Sequence, residues 1–479
     1  MERIILETTG KLPLEALLPP ELSEGMTPAE KTLLHKAEKG ELADFLTGKE
    51  DEDDQANAPK WGPERMIRSE FLFWLCTDAS AVDRVHPKGV RISGAVIPTK
   101  LDFAFCTLPH PLALESCAVP GGFDFEGAHM RFFSLVASTS GPVFCHRLQN
   151  DGNFILQLTN IDGQVRLLGA TIKGDLDCRG ASLKNAEGYA LSADRIAVEG
   201  DVFLRDDFQA EGEVCLLGAT IKGDLDCRGA SLKNAEGYAF CCENAVIKGT
   251  IFFLPLQLEG SVDLLHAEVG QLLDDPESWP KRGNLYINGF TYSAFAGNAA
   301  TVEVNKRLKW LALQPDSPFS PQPYEQLAKV YRSMGLERDA KKVLIAKQEA
   351  LRQHGELGKA AKAWNWILGK CIGHGYKSWR LLLYGIIPLI LLGWGVFWCA
   401  ERRDVMQSTE DNPSEFNAFV YSLDTFLPLV KLHQEEFWLP TTSKTYGSYY
   451  RLYLWIHIGL GWLLTTLFVV SLTGVVKKE

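Results

Sequence analysis

Two hydropathy patterns divide the chain. Over residues 91–300, apolar and polar positions alternate at period two in a ten-residue frame, idealised as Gly-x-Leu-x-Leu-x-Gly-Ala-x-Ile. The frame opens at Gly121, Gly141, Gly163, Gly174, Gly200, Gly212, Gly223, Gly249, Gly260 and Gly283, with a Gly-less version at Thr99. In GDLDCRGASL, Leu176 and Cys178 face one way while Asp175, Asp177 and Arg179 face the other, which is the alternation of a strand. A short strand with one apolar face has nothing to bury it against. Stacked as rungs of a right-handed parallel β-helix, such strands bury it in a continuous column. Two frames make a coil of roughly 22 residues, and the 26-residue spacings carry longer loops at 184–199 and 233–248. An antiparallel sandwich of hairpins accommodates this constant spacing poorly. The segment LLGATIKGDLDCRGASLKNAEGYA occurs identically at 167–190 and 216–239, so each copy is a structural unit.

The second pattern is continuous. Residues 381–400 carry no charge, and residues 452–476 contain only His457 that can ionise. Each run meets the roughly 20 residues needed to cross about 30 Å of hydrocarbon. Trp379, Trp394 and Trp398 accompany the first run, and Tyr449, Tyr450, Tyr453 and Trp455 open the second, where amphipathic rings favour the membrane interface. Lys370, Lys377 and Arg380 precede the first run and Lys477 and Lys478 follow the second, whereas residues 401–451 hold eight acids against five bases. The bias of basic residues toward the cytoplasmic side predicts a membrane hairpin with both termini cytoplasmic and the loop 401–450 outside.

The flanks predict helices. Thr27-Pro28-Ala29-Glu30 is a capping box opening a helix through Phe45. Residues 50–54 (EDEDD) read as a solvated loop, and 65–76 as a helix whose Phe71, Leu72, Trp74 and Leu75 close the first rung. Residues 321–334 and 338–353, broken at Gly335, form a tetratricopeptide-like helical pair. Lys359, Lys362 and Lys370 alternate with Trp364 and Trp366 ahead of Lys377, the pattern of a helix lying on anionic lipid. The expected organisation is a helical N-terminal cap (1–90), the β-helix (91–300), a basic helical connector (301–378) and the transmembrane hairpin (379–479), in a mostly β protein.

The rungs, the PYEQLAKVYRSMGLERDAKKVLIAKQ segment and the paired C-terminal runs together resemble a bacterial group of membrane-attached proteins. Their cytoplasmic β-helix is similar to pentapeptide-repeat or bactofilin-type coils, and their two-span hairpin is ion-channel-like. The resemblance covers roughly residues 60–479 and implies an architecture without assigning an activity.

Charge and chemistry narrow the functional classes. The net charge of −11 argues against a protein coated in positive charge for duplex nucleic acid. Residues 301–380 nevertheless carry a net +8, leaving −19 on the rest. That basic stretch is where a nucleotide or oligonucleotide ligand would be sought, beside its lipid-facing role. Eleven cysteines without a CxxC read as reduced thiols, with Cys178, Cys227, Cys241 and Cys242 as apolar fillers of the coil. No nucleotide-binding, zinc-protease or serine-hydrolase motif occurs, and the dispersed histidines show no zinc cluster. No catalytic, cofactor or metal residue is assigned.

The loop between the spans is more informative. Apolar residues at 416, 419, 420, 423, 426 and 427 form a helical stripe, broken by Pro428. A short helix between two spans has the layout of a two-span cation channel, although no TVGYG-like filter follows. It either re-enters the membrane or lies on its outer leaflet. Asp424, Glu435 and Glu436, repeated by symmetry, are candidate acid rings, and His457 should face a partner helix or water. Gly459, Gly461 and Gly474 permit close helix approach. The leading expectation is a homo-oligomeric pore regulated by the β-helix, with a role in stress or antiviral defence suggested by analogy. The alternatives are a membrane-tethered scaffold and a membrane-bound enzyme.

Overall fold

The computed structural model describes residues 12–297, 302–373, 379–409, 415–428 and 430–472, with the backbone alone at 367, 370–372 and 471–472. It divides into two compact units, residues 1–316 with 322–335 and residues 317–321 with 336–479.

The first unit is a parallel β-solenoid of about 9 turns. Four short strands form the sides of a rung, and each pairs in parallel with its counterpart one coil later. One side stacks Leu112, Phe133, Phe154, Leu176, Val202, Leu225, Ile251 and Leu272. Another stacks Val143, Val165, Leu191, Val214, Phe240, Val262 and Leu285. All of these side chains are buried, so the period-two pattern becomes one apolar column. Cys178, Cys227 and Cys242 fill it, as expected.

Two glycine positions make the coil. The second glycine of the frame turns a corner in the left-handed region, as at Gly180 (φ 65°). The first allows consecutive rungs to approach. A Cβ at Gly223 would strike the Gly200 carbonyl and the Asp201 carboxylate. Beside this column a ladder of side chains satisfies backbone donors. Asn153 accepts the N–H of Asp175 (3.0 Å), Asp175 that of Asp201 (2.9 Å), Asp201 that of Asp224 (2.7 Å) and Asp224 that of Thr250 (2.7 Å).

The duplicated segments fold alike, and each copy departs from expectation in one respect. Asp177 and its duplicate Asp226, which alternation turns away from the apolar face, are nearly fully buried. Arg179 donates to both oxygens of Asp177 (Nε to Oδ1 2.9 Å, Nη2 to Oδ2 2.6 Å), and Arg228 does the same to Asp226. Burial pushes the Asp177 carboxyl up, but Arg179 and the Gln157 amide outweigh it and hold the group below the usual range. Cys241 also departs from its expected place. It faces the outer side of the coil, because its neighbours Phe240 and Cys242 take the interior.

Helices close both ends. Helix α1 (Pro28–Lys39) has the Thr27/Glu30 capping box but stops at Gly40 (φ 65°), not at Phe45, because the chain turns to pair Ala43 and Asp44 with Ile92 and Ser93. The expected loop at 50–54 contains a helical turn, Glu50–Asp53, and Asp53 pairs with Arg65 at 3.0 Å. Helix α2 (Ser69–Thr77) buries Phe71, Leu72, Trp74 and Leu75, as expected. Helices α3 (Val304–Leu311) and α4 (Gln322–Ser333) cover the last rung. There Arg307 pairs with Asp274 at 2.5 Å over the Phe295 ring, and Gln326 donates to the Tyr292 carbonyl (2.6 Å).

The second unit is helical, with α5 (Glu337–His354), α6 (Lys359–Ile372), α7 (Trp379–Arg402), α8 (Ala418–Phe426), the short α9 (Gln434–Phe437) and α10 (Gly447–Leu472). Both α7 and α10 are long and apolar enough to cross a membrane. Only 28% and 22% of their apolar windows are buried, and the exposed side chains include Leu383, Leu391, Leu392, Trp394, Trp462 and Leu463. A core helix of a soluble protein hides such a surface; these two display it. Within α7, residues Leu382–Ile386 widen into a π turn, where the Ile387 N–H reaches the Leu382 carbonyl. Pro388 next to it lacks a donor and crowds the carbonyl of Tyr384, which displaces the regular ladder.

Candidate functional site

The apolar stripe at 416–427 becomes α8. Asn417 caps it by accepting the N–H groups of Phe419 and Val420 (both 3.1 Å), and Pro428 prevents its continuation past Leu427. The helix packs against the middles of both long helices. Ser422 Oγ donates to the Ile390 carbonyl of α7 (2.8 Å) and lies 3.3 Å from His457 Nε2 of α10. The same ring nitrogen is 3.2 Å from the Ser422 carbonyl, and Tyr453 OH is 3.4 Å from Nδ1. His457 is 1% exposed. Its ring meets Phe397 and Phe426 at centroid distances of 5.6 and 5.0 Å, and Phe397 meets Tyr421 edge-on at 4.8 Å. The expectation that His457 faces a partner helix is met by α8.

Two glycines permit this. A Cβ at Gly393 would meet Ser422 Oγ and the His457 ring; one at Gly461 would strike the Phe426 backbone. Gly461 was visible as a site of close approach. Gly393 and Ser422 were not, since one glycine and one serine in apolar segments carry no period.

Beyond α8, residues 430–433 lead as irregular backbone into α9. Asp424 organises this return. Its buried carboxylate accepts the N–H groups of Leu432 (2.6 Å), Gln434 (2.8 Å) and Glu435 (2.9 Å). Gln434 Oε1 accepts from Asn417 N (3.1 Å), tying the return to the start of α8. Val430, Lys431, Leu432 and His433 are exposed. Asp424 and Glu435 are therefore brought together, but through a backbone hydrogen bond. Glu435 and Glu436 are exposed, and Glu436 lies 3.0 Å from His433. Burial, Asp424 and Glu436 push the Glu435 carboxyl up. Lys431 is a charged group that the sequence reading passed over.

The candidate membrane-surface residues lie on α6. Lys359, Trp364 and Trp366 are exposed, and Lys362 is half-buried. Lys370 lies on the helix with its backbone alone described, and Lys377 falls outside the described residues. In the solenoid unit, Lys329 of the basic stretch joins Lys248, Glu268 and Gln326 around a cleft of about 580 Å³ between α4 and the last rungs.

Comparison with family models, curated proteins and solved structures gives no match. The architecture expected from the resemblance is present as a β-solenoid and two apolar helices.

Proposed function

We propose that several copies of this chain assemble a membrane pore, with α7 and α10 as the spans, α8 as a re-entrant pore helix, and the return segment 430–433 along the water path. One observation carries the reading. Exposed, irregular backbone with Lys431 lies beside a helix that meets the middles of both apolar helices. At that depth a bilayer offers no hydrogen-bond partners, so such backbone is tolerated only against protein or water. An exposed ammonium there costs several kcal/mol in lipid on the order of insertion scales, and little in water. Two spans enclose no path by themselves, so rotational symmetry must supply the remaining walls.

In this reading Asp424 holds the return segment through its three N–H contacts, while Lys431, Glu435 and Glu436 face the path as charge rings. Helix α6, with exposed Trp364 and Trp366 beside Lys359 and Lys362, lies at the inner surface of a bacterial inner membrane. The solenoid then belongs to the cytoplasmic side with both termini, where it regulates opening.

The test is ion flux in liposomes holding the purified full chain. Flux should be present in wild type, and cysteines at 430, 431 and 433 should be modified and blocked by a water-soluble cationic thiol reagent. Glu435→Gln with Glu436→Gln should shift ion preference. Flux absent from every oligomeric fraction, together with cysteines at 430–433 inert to the reagent, overturns the pore.

A further inference from the structure

The outer side of the solenoid holds a second chemistry, unrelated to the membrane. Cys215 and Cys241 are register partners on consecutive rungs, with both side chains outside the apolar column. Their ladder continues to Ser192 on one side and Asp263 on the other. Glu213 shares the outer face of its strand with Cys215, since Val214 between them points inward. The Glu213 carboxylate and the two thiol sulfurs lie within 4.8 Å of one another. Asp194, just past the corner after Ser192, acts on Cys215 through its carboxyl. Its Oδ1 is buried without a hydrogen-bond partner.

The group is sheltered. Both cysteines are 5% exposed, and Tyr189 and Tyr238 from the two duplicated segments border the site. Sheltered acidic and thiol groups converge here, and one carboxylate oxygen is left over. An apolar or salt-bridged surface has no use for that arrangement.

We propose that Cys215, Cys241 and Glu213, with Asp194 beside them, form a binding site for a thiophilic divalent cation of the zinc class, clamping the two successive rungs that flank the second duplicated segment. The donor set suits zinc, which takes thiolate sulfur at about 2.3 Å and carboxylate oxygen at about 2.0–2.2 Å in tetrahedral geometry. Strands about 4.8 Å apart bring two in-register sulfurs to the roughly 3.8 Å that such a centre needs after small side-chain rotation. Binding releases the two thiol protons to solvent and changes no oxidation state. Calcium and magnesium are disfavoured, because both prefer all-oxygen ligation.

The full chain, reduced and stripped by chelator in detergent, is titrated with Zn²⁺ and separately with Co²⁺. About one zinc per chain is expected, along with a near-ultraviolet thiolate-to-cobalt charge-transfer band. Cys215→Ser with Cys241→Ser should abolish both, Glu213→Gln should weaken zinc binding by about tenfold or more, and Cys106→Ser should change neither. Should the double variant fail to fold, the cobalt spectrum of the wild-type chain decides alone. The proposal is overturned by absence of the band, by unchanged zinc stoichiometry in a folded double variant, or by a Cys215–Cys241 disulfide in cells lysed directly into alkylating agent.

Discussion

The solenoid and the helical hairpin solve the same problem, burial of polar groups, in opposite ways. In the solenoid each solution is repeated by translation. The Asn153–Asp175–Asp201–Asp224 ladder uses one contact four times, and the Asp177–Arg179 pair recurs as Asp226–Arg228. In the hairpin every solution occurs once. Ser422, His457, Gly393, Gly461 and Asp424 have no duplicates where α8 packs against α7 and α10 and its return is held. Repetition spreads risk along a structure, and singular contacts concentrate it.

The largest test of this contrast is Gly461→Val, which drives a branched side chain into the Phe426 backbone. It should cost about 3 kcal/mol or more, or expel α8 altogether, read as a lower Tm and new proteolytic cleavage within α8. Asp424→Ala comes next. It strands three backbone donors and should cost about 3 kcal/mol, read as a lower Tm and new proteolytic cleavage between 428 and 436. Ser422→Ala removes one hydroxyl from between two helices and should cost about 1–2 kcal/mol by the same assay. In the solenoid, Asp177→Asn and Asp226→Asn should each cost about 1 kcal/mol, and the double variant close to their sum. Marked non-additivity there would break the claim that rungs act independently.

The smallest effect is a dependence on pH at the segment after α8. Glu435 has a raised pKa, so it takes up its proton at a higher pH than an ordinary glutamate as the solution is acidified. In the proposed pore, cation preference in liposomes should therefore fall as pH drops through that raised value, and Glu435→Gln should remove this component.

The contrast also explains what was legible in the sequence. Period two and the stacked glycines fix the coil locally, so the solenoid could be read from one frame. The long helices could be read from length and lack of charge, and α8 from its stripe and Pro428. The depth of α8 could not, because it depends on Ser422 meeting the Ile390 carbonyl, 32 residues away. Asp424 looked like a free acid because backbone donors have no signature in side-chain sequence. The burial of Asp177 escaped notice because alternation alone places it outside; the arginine two residues on covers it. Cys241 was misplaced for a similar reason. Of two adjacent cysteines only one can face the core, and its pairing with Cys215 is set by the 26-residue spacing between rungs.

The duplicated segment has a final consequence. Its 49-residue offset spans two complete coils, from Leu176 through Val202 to Leu225. Unequal recombination between the copies would thus add or delete about 10 Å of column at a stroke, leaving both caps and every inter-rung pairing intact. Column height in this lineage is then an evolvable dimension, adjustable in whole steps without a misfolded intermediate.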